Sequence, residues 1–146
     1  MFRSRPKDDY ILETNWEELY VLTRHWVSNL EFYKDDLKFF RHLIDKYFIW
    51  INEKEHQVKA ESIRNGVIKL TRQSNDLIKE TLKHLGHIKD IMEDPFTHDS
   101  QRFREEHQGL EDKISEFIKS CRTQRRELFS ITEHIVENDR LGEIIT

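Results

Sequence analysis

Eight histidines in 146 residues are the side chains here with the most chemistry to offer. A neutral imidazole ligates zinc or iron, and it titrates near neutral pH. Four of them, His25, His84, His87 and His107, fall toward one end of the fold argued below, with Glu80, Glu105 and Glu106 nearby. Such a group could hold zinc, or iron if more carboxylates join. The spacing counts against it. A di-iron bundle needs Glu-x-x-His on two helices plus a glutamate from each of two more. This chain has one such pair, Glu53 and His56, at the opposite end. No His-Glu-x-x-His, paired-cysteine or calcium-loop spacing occurs. A histidine-cluster metal site is therefore the alternative reading, and no cofactor is expected.

Other chemistry is sparser still. There is no Gly-rich phosphate loop, nucleophile elbow or dinucleotide fingerprint, so the chain is not expected to be an enzyme. Acidic pairs such as Asp35-Asp36 and Glu105-Glu106 fit solvated helix faces. Cys121 recurs at an apolar position and reads as a small core residue. A lone cysteine excludes an internal disulfide and suits a reducing compartment. With no apolar run behind the basic start Met1-Phe2-Arg3 and no stretch near the ~20 residues that span a bilayer, a cytoplasmic location is expected. The net charge of −4 gives no push toward nucleic acid. Arg122, Arg125 and Arg126 form a short basic cluster that fits a salt-bridged surface or an acidic protein partner. Neither nucleic acid nor membrane is expected as a partner.

The elements that carry these residues are read from apolar spacing. Charged residues reach 36%, against roughly 25% in an average globular protein, with only four Gly and two Pro. That composition favours long, solvated helices. From Phe103 to Ile135 an unbroken repeat of threes and fours runs through His107, Leu110, Ile114, Phe117, Cys121, Gln124, Leu128 and Ile131. An earlier one runs Leu19, Leu22, Trp26, Leu30, Tyr33, Leu37, Phe40, Ile44, Tyr47, Ile51, opened by a capping box at Thr14 and Glu17. Between them lies Ile63, Val67, Leu70, Ser74, Leu77, Thr81, Leu85, Ile88, Met92, with Asn52 as its expected cap. Asp94-Pro95 ends that stretch, and Thr97 or Asp99 is expected to cap the next.

The prediction is an all-α fold: an elongated, antiparallel (up-down-up) three-helix bundle with coiled-coil-like heptad seams. Its helices cover about 15–51, 54–93 and 100–138 of a single domain, between an N-terminal segment 1–14 and a tail 139–146. In outline this is similar to spectrin-type and syntaxin N-terminal bundles, and no motif carries anything further from them. Polar seam residues (Ser74, Thr81, His107, Gln124) are expected to fix register or to lie near a bundle end. Gly66 is expected to admit a bulky neighbour such as Phe40 or Arg41.

One helix has more apolar surface than a bundle needs. From Trp16 to Ile51, 20 of 36 residues are apolar. Beyond the seam, with Trp26 as its core anchor, a second line runs Phe32, Phe39, Leu43, Trp50. These four are the expected interface of a homo-oligomer, in the first place a dimer, or of a complex with another helical protein.

Overall fold

The computed structural model describes residues 15–94 and 100–145, with side chains through Glu133. The chain is all-α: three helices, α1 (Trp16–Phe48), α2 (Lys54–Glu93) and α3 (Ser100–Ile145), pack against one another. No strand occurs among the described residues. Thr97, Asp99 and the side chain of Ile135 lie outside them.

The ends of the helices depart from the sequence reading in instructive ways. Thr14 lies outside the described residues, and the α1 cap is Asn15. Its carbonyl accepts the Leu19 N–H at 3.1 Å, and its Oδ1 accepts the Glu18 N–H at 2.8 Å. The capping box is thus Asn15 and Glu18, one residue later than expected. At the other end α1 stops at Phe48 rather than 51. The Trp50 and Ile51 N–H groups bond the carbonyls of Tyr47 and Phe48, at 3.1 and 3.2 Å. This tight turn still buries Ile51 while leaving Trp50 outside. The first turn of α2 begins from Glu53, whose carbonyl accepts the Gln57 N–H at 3.0 Å, not from Asn52. Helix α3 continues to Ile145, seven residues past the expected end.

Burial follows the threes and fours more strictly than side-chain hydrophobicity does. On α2 the buried positions are Ala60, Ile63, Val67, Leu70, Ser74, Leu77, Thr81, His84, Ile88 and Ile91. His84 and Ile91 take the places expected of Leu85 and Met92. On α1, Thr23 is buried in place of Leu22. Its hydroxyl donates to the Leu19 carbonyl at 2.7 Å, so the polar group is satisfied within its own helix and the methyl can pack. Thr81 does the same to Leu77 at 2.6 Å. Both hydroxyls are thus satisfied within their own helices. Every α3 position expected inside is buried through Ile131 except half-buried Gln124; Ile118 and Glu111 join them.

The helices contribute to two compact units. One holds α1 up to Phe32 with the chain from Ser74 to Phe117. Its end is closed by Leu19, Ile88, Ile91 and Phe103, with Trp16 and Tyr20 packed against them. Trp16 meets Phe103 edge-on at 5.1 Å and carries the Arg104 guanidinium 4.5 Å above its ring.

The other unit takes Tyr33–Gln73 and the chain from Ile118. Leu37, Phe40 and Ile44 of α1, Ile63 and Val67 of α2, and Cys121, Leu128 and Ile131 of α3 are all buried there. Asp45 is shared by Arg41 and Arg64, each at 3.0 Å. The neighbour that Gly66 admits is Gln124 of α3, not Phe40 or Arg41; its amide occupies the space a Cβ would take.

Candidate functional site

Two places carry the residues singled out from sequence: a histidine pair in the first unit and the outer face of α1. The alternation that buries one side of α2 turns His84 toward α3, where the same spacing presents His107. His84 Nε2 and His107 Nδ1 lie 2.8 Å apart, so one proton is shared between them. Flat aromatic surfaces enclose the pair. Phe103 stacks on His84 at 4.6 Å with planes 6° apart, and Trp26 stacks on His107 at 4.6 Å and 24°. His107 is fully buried, and its Nε2 has no hydrogen-bond partner among the described residues.

This setting holds both rings neutral. Burial pushes His84 down to about 4, helped by the neighbouring His87 and opposed by Glu106 and Glu80. Burial likewise pushes His107 down to about 3, with His84 and Arg104 adding to the effect. A second proton would set two N–H groups against each other inside an apolar shell.

Of the four histidines considered as ligands, the structure brings together His84 and His107. His87 is half-buried and meets Phe103 edge-on at 5.1 Å, and His25 is exposed on α1. Two nitrogens ligating one zinc tetrahedrally at ~2.0–2.1 Å would stand roughly 3.3 Å apart. The 2.8 Å pair is closer and is bridged by hydrogen instead. Among the described residues no group of three or more His, Cys, Asp or Glu could hold a metal ion. Outside the pair, Glu80, His87, Asp90, Glu106 and Lys113 line an open groove between α2 and α3, with the Lys113 ammonium 3.0 Å from Glu80.

On α1 the seam and the second line separate as ~100° per residue requires. Trp26, Leu30, Leu37, Phe40 and Ile44 face inward. Phe32, Phe39 and Trp50 face out, exposed by 61%, 56% and 54%, and Leu43 is half-buried at their edge. Val21 belongs to the same outer line at 53%. Val58, Leu82 and Met92 of α2 are exposed as well, and sequence reasoning also missed the exposure of Ile49 and Phe129. Ile49 is turned outward by the turn that ends α1, a geometry no periodicity encodes. Phe129 of α3 stands against Phe40 at 6.1 Å with the Arg125 guanidinium 5.5 Å above its ring. Its place between the arginine cluster and the seam was the available signal.

No protein-family model, curated protein or solved structure matches the chain. None of the described helices is long and apolar enough to cross a membrane.

Proposed function

We propose that this chain is a non-enzymatic helical assembly module that associates through the outer face of α1, in the first place with a second copy of itself. One observation carries the reading: three large aromatic side chains, Phe32 and Phe39 on α1 and Trp50 in the turn that follows it, expose more than half of their surface to water. Aromatic side chains are enriched at protein interfaces relative to the rest of the surface. Large aromatics anchor such interfaces, and the charged residues around them set the choice of partner. Coiled-coil-like packing of α1 against a partner helix and action in a reducing compartment such as the cytoplasm belong to the same proposal, the second in keeping with a single cysteine that stays a free thiol.

Sedimentation velocity over a hundredfold concentration range tests the proposal. The wild-type chain should shift from monomer to dimer. The Phe39→Ser/Trp50→Ser variant should stay monomeric with its helical circular dichroism and melting midpoint within a few degrees of wild type. If both collapse in the variant, these residues are monomer core and the interface does not exist. A wild-type chain that stays monomeric throughout removes self-association.

A further inference from the structure

On α3, Lys119, Arg122, Arg125, Arg126 and Phe129 recur at the three- and four-residue spacing that keeps side chains on one side of a helix. The four cations, with Thr123, line one shallow groove along α3, and all five of these residues are exposed. Phe129 ends the row. It is 41% exposed, and the Arg125 guanidinium stands 5.5 Å above its ring. From Lys119 to Phe129 the row is about 15 Å long at ~1.5 Å per residue.

A basic cluster serves either as half of a set of salt bridges on the protein's own surface or as a seat for an anionic partner. The first use is made elsewhere: Arg41 and Arg64 share Asp45, Lys113 meets Glu80, and Arg102 meets Glu106. Arg122, Arg125 and Arg126 form no ion pair among the described residues. Their forked N–H donors match a carboxylate two by two. The rest of the chain narrows the choice of anion. Taking these four cations from a net charge of −4 leaves −8 on the remainder. A nucleic acid or an anionic membrane extends beyond the row, meets that remainder and is repelled by it. An acidic protein segment as short as the row meets only the cations. Phe129 favours the same occupant, since an apolar side chain of the segment can cover the exposed part of its ring.

We propose that the row from Lys119 to Phe129 on α3 seats an acidic segment of another protein, with its carboxylates on Arg122, Arg125 and Arg126 and an apolar side chain on Phe129. This surface does not rest on the self-association proposed above. Charge matching of this kind speeds encounter and selects the partner, and salt screens it.

Fluorescence anisotropy on the full chain tests it, with a short labelled peptide that carries glutamates at helical spacing and one leucine near its end. The wild-type chain should bind the peptide, and raising salt from 50 to 500 mM should weaken binding several-fold. Arg122→Glu/Arg125→Glu/Arg126→Glu should weaken it at least tenfold. The milder Arg122→Gln/Arg126→Gln should weaken it several-fold with helical circular dichroism unchanged, and it decides the matter if the triple reversal does not fold. Phe39→Ser/Trp50→Ser should bind as the wild type does. Absence of binding by the wild type overturns the proposal, as does equal binding by folded arginine variants. Binding lost in Phe39→Ser/Trp50→Ser with its fold intact places the peptide on α1 and overturns it too. A short DNA duplex, or vesicles of phosphatidylcholine and phosphatidylserine at three to one, that bind more tightly than the peptide would overturn the choice of a protein segment.

Discussion

Lowering the pH from 7 to 5 should remove about 4 kcal/mol of stability through two side chains, His84 and His107. Unfolded, each titrates near 6.5; folded, burial holds them down at about 4 and about 3. Between those values the unfolded chain binds protons that the folded chain refuses, so stability rises with pH. The contribution is complete above the unfolded value and is lost progressively as pH falls toward the folded ones. At pH 5 the deficit per group is set by the 1.5 units separating 5 from 6.5, or about 2 kcal/mol at 1.36 kcal/mol per unit. The pair together gives about 4, a large share of the 5–15 kcal/mol typical of a domain. The groups that face the pair are His87, Glu80, Glu106 and Arg104, and the two carboxylates only partly offset burial. Urea unfolding followed by circular dichroism at pH 7, 6 and 5, at fixed ionic strength, reads the loss. The control is His84→Leu/His107→Leu, which replaces both partners by apolar groups and removes the two shifted sites. Its pH slope should be shallower by the same 4 kcal/mol, the remaining histidines acting equally in both proteins. Equal slopes in the two would refute the assignment, as would an imidazole of the pair found by NMR to titrate above pH 6.

Two further expectations concern the helices themselves. A Cβ at Gly86 or Gly109 meets open space, so Gly86→Ala and Gly109→Ala should each stabilise by about 0.5–1 kcal/mol in urea titrations. Gly66→Ala must displace the Gln124 amide and should gain less or lose outright, with the full gain returning in a Gln124→Ala background. Cys121 is buried and its thiol is pushed up to about 12, chiefly by burial and further by Asp36. It should react with DTNB at pH 8 at least a hundredfold more slowly in the native protein than in 6 M guanidinium; fast native labelling would contradict its placement.

The three helices were legible because apolar residues recur at threes and fours over runs too long for chance. The α3 positions were readable one by one, since its buried set keeps the alternation from Phe103 to Ile131, with Gln124 half-buried and Glu111 and Ile118 added beside it. On α1 and α2 the reading followed the more hydrophobic of two adjacent residues, preferring Leu22 to Thr23 and Leu85 to His84. Packing followed the phase instead, since a helix side fixed by ten positions outweighs one methylene-rich side chain. The histidine contact shared this fate. Both residues were singled out for metal, while their meeting across two helices depended on His84 being the inward one. The line Phe32, Phe39 and Trp50 was visible because it repeats outside the seam phase. Ile49 and Phe129 were not, because a turn in one case and a cross-helix contact in the other decide their exposure.

The histidine pair also bears on which alignments of α2 and α3 the chain can adopt. Sliding one helix by seven residues keeps inward faces inward. It would bring His84 level with Ile114 or Ser100, and His107 level with Leu77 or Ile91. In either direction at least one buried ring nitrogen loses its partner, a penalty of about 1–3 kcal/mol for each unsatisfied group. A single proton held between two imidazoles thus widens the energy gap that separates this fold from its nearest misfolds.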